Sequence, residues 1–118
     1  MNKKLVIFNW KMNFTVSESV EFSNNILKCV SNFQNNNYEI IVCPTYMSLP
    51  YSYQILSSYV KFGAQNISSF DGDKGSFTGE ISAKMVSDYA EYVIIGHSER
   101  RVKIPESSIE INNKRLLA

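Results

Sequence analysis

Tyr92-Val93-Ile94-Ile95-Gly96-His97-Ser98-Glu99-Arg100-Arg101 sets an apolar block directly ahead of a glycine and a run of polar and charged residues. A short apolar block of this kind, rich in β-branched residues, reads as a strand buried on both faces of a parallel sheet. Three similar runs precede it, at residues 4–10, 39–43 and 60–65. Helical patterns separate them. Thr15-Val16-Ser17-Glu18 has the form of a capping box, and Phe22, Ile26, Cys29, Val30 and Phe33 follow on one helical face until Asn35-Asn36-Asn37 stops the pattern. Shorter helices fit residues 47–58 and 83–90. The second is reached through a loop over residues 66–79 that carries the turn signals Asp71-Gly72-Asp73 and Lys74-Gly75. Residues 107–118 form a fourth helical pattern with Ile109, Ile111, Leu116 and Leu117 as apolar positions. The order βαβαβαβα predicts an α/β fold with a parallel sheet and right-handed crossovers. Ligands of such sheets collect at the carboxyl ends of the strands.

Composition narrows the functions that fold can carry. The chain has 118 residues, 44% of them hydrophobic and 19% charged, enough apolar material for one core and too little length for a second domain. A net charge of +1 supplies no field to recruit nucleic acid or an anionic membrane. The uncharged stretch 40–60 contains Pro44, Pro50 and many hydroxyl side chains, which disqualifies it as a membrane span. Lys3 and Lys4 ahead of residues 5–8 resemble a signal-peptide start, but the apolar run is too short and Lys11 follows. Cys29 and Cys43 form no CxxC pair and both sit among apolar neighbours, so reduced, buried thiols in a cytoplasmic protein are expected. With one histidine and two scattered cysteines, no structural zinc site is expected.

The strand ends carry polar groups that a purely structural strand does not need. Period-two alternation puts Leu5, Ile7, Asn9 and Lys11 on one face of the first strand and Val6, Phe8 and Trp10 on the other, which suits packing against helices. A lysine at the mouth of a partly enclosed site is a point charge for a phosphate or a developing oxyanion; alternatively it snorkels to solvent. In the last strand Val93, Ile95 and His97 share a face, and Ser98 is placed to cap the following helix. A helix start beside an imidazole favours the neutral ring, which can donate a hydrogen bond to a carbonyl and shuttle a proton. Glu99 serves either as an acid/base carboxylate or as a charge that favours the helix dipole, while Arg100 and Arg101 read as ion-pair partners. The glycine-bearing stretch 75–80 is long for a mere connection and contains no nucleotide-type phosphate loop.

Taken together, Asn9-Trp10-Lys11-Met12-Asn13, Gly63-Ala64-Gln65-Asn66, Phe77-Thr78-Gly79-Glu80-Ile81-Ser82 and Ile95-Gly96-His97-Ser98-Glu99-Arg100-Arg101 resemble the triosephosphate isomerases in order and spacing. The resemblance implies a TIM (β/α)8 barrel of which only the first four βα units are present, one incomplete domain over residues 1–118. It implies a glycolytic and gluconeogenic isomerase that interconverts dihydroxyacetone phosphate and glyceraldehyde 3-phosphate through an enediolate, without a cofactor or metal. Asn9 and Lys11 match the substrate-contacting pair, His97 the electrophile, and Ser98 and Glu99 its polar neighbours, with Glu99 counted among the catalytic group. Thr78 matches a loop-tip residue at the family's dimer interface, which implies a homodimer.

The departures are as informative. Such a barrel takes about 250 residues, and no residue here matches the family's glutamate base or its phosphate-gripping glycine loops. Lys103-Ile104-Pro105 replaces the usual aromatic-containing sequence. Leu5, Ile7, Val93 and Ile95, taken as barrel-facing, are expected to lose their opposite wall, and the first and fourth strands to leave open edges that invite pairing. Three readings of the polypeptide follow: half of an isomerase that pairs with a missing C-terminal half, a non-catalytic truncated product, or a self-pairing half-barrel.

Overall fold

A computed structural model of the chain describes residues 2–33 and 35–118. Four strands, β1 (Lys4–Asn9), β2 (Tyr38–Cys43), β3 (Lys61–Ala64) and β4 (Tyr92–Val93), pair in parallel in the order β1-β2-β3-β4. Five helices alternate with or follow them: α1 (Val16–Val30), α2 (Leu49–Leu56), α3 (Ala83–Val86), α4 (Ser98–Lys103) and α5 (Ser108–Leu117). The result is a half-barrel, and all four expected strands are present. The helices differ in two respects. The third stops after four residues, and the single helix expected after the last strand is two, separated by residues 104–107 around Pro105.

Local chemistry accounts for the helix starts. Thr15 Oγ1 accepts from Glu18 N, as the capping pattern requires. Ser107 and Glu110 form a complete, reciprocal capping box at α5. Pro50 sits in the first turn of α2, where its missing N–H costs nothing.

The register decides which side chains meet the helices. Val6 pairs with Ile40, Phe8 with Val42, Val42 with Phe62 and Ala64 with Val93. Trp10, Val42, Phe62 and Ala64 accordingly form one core with Leu49, Leu56 and Val86 of the helices, and Val93 and Ile95 pack against it. Val93 and Ile95 therefore face the helices, not the barrel interior as expected; the pairing Gly63 with Tyr92 puts Tyr92 on the inner side. There the Tyr92 hydroxyl donates to Glu39 of β2. Leu5 and Ile7 do face inward and are 52% and 54% exposed. β1 and β4 are both edges, and β4 is only two residues long.

The α1–α2 contact is a seam of small hydroxyls. Ser19 Oγ donates to Ser48 Oγ at 2.7 Å and Ser23 Oγ to Ser52 Oγ at 3.0 Å, all four residues fully buried. Serines four apart on each helix let the axes approach closely while each hydroxyl finds a partner. Of the apolar positions expected on one face of α1, Ile26 and Val30 pack against the core and Phe22 against the Trp10 ring, whereas Phe33 lies beyond the helix and Cys29 is at the surface, correcting the expectation of a buried thiol. Cys43 is buried, and burial pushes its thiol up to about 11 against the lowering effect of the Gly63 backbone.

Two outcomes follow. Cys29 reacts with an alkylating reagent at pH 8 while Cys43 stays protected until the chain unfolds, as read by mass spectrometry of the labelled peptides. A Cβ on Gly63 meets Cys43 Sγ at 2.6 Å. Gly63→Ala therefore destabilises by about 1–3 kcal/mol, and Cys43→Ala in the same chain returns part of the loss in a denaturant titration.

Candidate active site at the strand carboxyl ends

The chain leaves β1 through a tight, strained turn. Trp10 N donates to Cys43 O at 3.0 Å, extending the strand pairing by one bond. Lys11 then adopts φ +56°, a left-handed conformation rare outside glycine. Three contacts hold it there. Lys11 N donates to Asn9 Oδ1 at 2.9 Å, Gln65 Nε2 donates to Lys11 O at 2.9 Å, and Asn13 Nδ2 donates to Trp10 O at 2.7 Å. The Trp10 ring, packed edge-on to Phe14 and Phe22, anchors the turn to the core.

His97 reaches the same place by another route. Alternation along β4 would send it toward the helices with Val93 and Ile95. Instead the strand ends early and Gly96 turns the chain at φ +64°. A side chain there is excluded twice, by the backbone and by Ile111 Cγ2, which a Cβ would meet at 3.1 Å. Arg101 Nε closes the turn by donating to Gly96 O at 2.7 Å.

The cap of α4 is His97 itself, not Ser98 as expected. Its Nδ1 accepts from Glu99 N at 3.1 Å. Ser98 is already the first residue of α4, one position too late to serve as its cap. An accepting Nδ1 leaves the proton of the neutral ring on Nε2, so the ring presents a hydrogen-bond donor. Ser98 is exposed and does not line the cavity described next.

Asn9, Lys11, Gln65, His97 and Glu99 border one cavity of about 510 Å³ at the carboxyl ends of the strands. Lys11 Nζ pairs with Glu99 Oε1 at 2.6 Å across 88 residues of sequence. That hydrogen bond holds the Glu99 carboxyl below the usual carboxylate range, against the upward effect of desolvation. Both side chains are about half exposed, so the pair contributes position more than stability. Gln65, which the strand reading did not single out, also donates to Cys43 O at 3.0 Å and so splints the ends of β1 and β2. Its polar side chain directly after β3 is the signal that could have found it. Arg100 makes the expected ion pair, with Glu106 at 2.7 Å. Thr78 lies in the exposed stretch 71–80 and is not among the residues bordering the cavity. Among the described residues no group of three or more metal-ligating side chains is gathered, and no helix is long and apolar enough to cross a membrane.

A parallel half-barrel with helices outside it defines the chain as of the (β/α)8-barrel class, and its cation, amide and imidazole gather at the strand carboxyl ends, where ligands of that class bind. The sequence profile of triosephosphate isomerase matches residues 4–118. Triosephosphate isomerase of Mesomycoplasma hyopneumoniae (strain 232) is 43% identical over 123 residues, covering 98% of this chain and 49% of that protein. The corresponding enzymes of Endomicrobium trichonymphae and Aquifex aeolicus (strain VF5) are 44% and 42% identical, covering 97% and 98% of this chain but 45% and 46% of theirs. The chain belongs to the triosephosphate isomerase family, and it spans about half the length of the curated relatives it matches.

Two measurements check the site. Because the Glu99 carboxyl is depressed when folded, the pair's contribution is present above the unfolded carboxylate pKa and fades as pH falls through the lower folded value. Lys11→Met therefore raises the Glu99 titration midpoint, read by carbon-detected NMR, toward that of a free glutamate. Lys11→Gly unfolds at higher denaturant than Lys11→Ala, by about 1 kcal/mol, because only glycine accepts the left-handed conformation without cost.

Proposed function

We propose that this chain supplies the carbonyl-polarising half of an aldose–ketose isomerase site, which interconverts dihydroxyacetone phosphate and glyceraldehyde 3-phosphate once a complementary set of strands completes the barrel. The convergence of Asn9, Lys11 and the donor face of His97 on one cavity carries the reading. As a base removes the proton from the carbon beside the carbonyl, the electron pair moves toward oxygen and an enediolate forms. His97 Nε2–H donates to that oxygen, and Lys11 places a positive charge where negative charge develops. Asn9 orients the substrate and the Lys11 backbone, and Glu99 holds the ammonium in place. The base and the phosphate grip are assigned to the complementary half, not to any residue here.

The open β1 and β4 edges are the proposed contact with that half, and the loop carrying Thr78 the proposed contact with a second copy. Two free thiols suit a reducing, cytoplasmic setting. Half-exposed Leu5 and Ile7 favour a second reading for the polypeptide on its own, a non-catalytic species that self-pairs or aggregates.

The chain alone is expected to show no turnover, since a positioned base is worth about 10²–10⁴ in rate. Mixed with a polypeptide supplying strands five to eight, it gains isomerase activity in proportion to complex formed. His97→Gln in that complex lowers kcat by about 10²–10³. Undiminished turnover of the His97→Gln complex would remove the imidazole from the mechanism, and turnover by the chain alone would remove the need for a second half.

A further inference from the structure

Glu106 follows Pro105 between α4 and α5, and its side chain is only 3% exposed. Oε2 accepts from Arg100 Nε at 2.7 Å and pairs with Lys114 Nζ at 3.0 Å. Lys114, 5% exposed and the one buried residue of α5, also donates to Asn66 Oδ1 at 2.9 Å. The Glu106 carboxyl is held below the usual carboxylate range: burial pushes it up, and the hydrogen bonds from Arg100 and Lys114 together outweigh that push. Its second oxygen, Oε1, is buried without a partner. Glu106 also borders a cavity of about 170 Å³ shared with Asn66, Glu80 and Arg100.

The network matters because of what lies at its ends. Asn66 and Arg100 also border the larger cavity that holds His97 and Lys11. The Asn66 backbone carbonyl accepts at 2.5 Å from the hydroxyl of Tyr46, a wall of that cavity, while its side chain is held by Lys114. α5 itself has little apolar docking: Ile109 and Leu116 are exposed, and Ile111 reaches inward to Gly96. One carboxylate therefore joins α5, the first turn of α4 and the segment after β3.

We propose that Glu106 is a positioning residue: through Arg100 and the Lys114–Asn66 bond it couples the docking of α5 to the placement of Asn66, His97 and Glu99 around the site. The inference rests on the site assignment above, yet its readout needs no catalysis. A buried charge pair that loses one partner destabilises the fold, so stability alone is no test. The telling signals are the side-chain amide of Asn66 and the imidazole of His97 in the isotope-labelled full chain.

Glu106→Gln is expected to shift both sets of resonances and to expose the Asn66 amide to faster solvent exchange. Glu106→Asp, which keeps the charge, restores them in part. Leu56→Ala, a core deletion that removes no member of the network, lowers stability without moving either signal. If Glu106→Gln does not fold, the pair Glu106→Leu with Lys114→Met removes both charges together, and the same two signals are read there. Native-like Asn66 and His97 signals in the neutral variants overturn the coupling, as does an equal disturbance in Leu56→Ala. Turnover of the His97→Gln variant in the completed complex separates this result from the site assignment: undiminished turnover there counts against the assignment, while the Glu106 coupling stands on its own signals.

Discussion

The parallel ladder from β1 to β4 fixes the level and the side at which every polar group of the site emerges. Asn9 stands opposite Cys43, and Gly63 stands opposite Tyr92. A slip of one residue in any of these pairings would turn the inward residues outward, removing Asn9 from the cavity and burying it against the helices. The close approach of Gly63 to Cys43 protects the register from the inner side. The Trp10, Val42, Phe62 and Ala64 core protects it from the outer side. Site geometry and core packing are in this sense one constraint, enforced on opposite faces of the same four strands.

That constraint is satisfied best at the centre of the sheet, where Ile41, Val42 and Phe62 are buried. On β1, Leu5 and Ile7 of the inner face and Phe8 of the outer face are each about half exposed, and the inner face gains one further contact where the Tyr92 hydroxyl donates to Glu39. Full burial of such a side chain is worth about 1.5–3 kcal/mol, so half-exposed Leu5 and Ile7 each forgo part of that against the stability of about 5–15 kcal/mol of an ordinary domain, whereas Ile41 beside them is fully buried. β4 pairs with β3 alone among the described residues, and Ile94 N donates to Ala64 O at 2.8 Å just past its end. The complement proposed above, more parallel strands, would cover Leu5 and Ile7 and bring its strand ends to face His97.

Much of this was legible in the sequence, and the exceptions share a cause. Periodic apolar blocks gave the strands, the Thr15 cap gave the start of α1, and alternation put Asn9 and Lys11 on the inner side. Alternation failed at β4 because its phase is set by pairing with β3, a long-range fact that a single strand does not contain. It failed again at His97, where Gly96 reverses the chain and the imidazole takes the cap a serine was expected to fill. The Ser19–Ser48 and Ser23–Ser52 seam escaped notice because apolar periodicity is blind to small hydroxyls that pair across helices. Glu106 and Lys114 were invisible for the same reason: charged residues are read as solvent-facing until three elements are seen to enclose them.

The strained Lys11 turn makes physical sense only beside Glu99. An ammonium has three donors, and the carboxylate takes one, leaving two to turn toward an arriving anion. A half-exposed pair contributes little to folding, so sharing that ammonium with a ligand costs little, whereas a fully buried pair would resist. The backbone at φ +56° sets the direction in which the lysine side chain leaves the turn. Glu99 is also the residue whose N–H fixes the His97 tautomer. One short segment therefore sets both the direction of the positive charge and the face of the imidazole that carries the proton. A shift of α4 would disturb the two together, and the anchoring of that helix by Arg100 and Glu106 belongs to the site as much as to the fold.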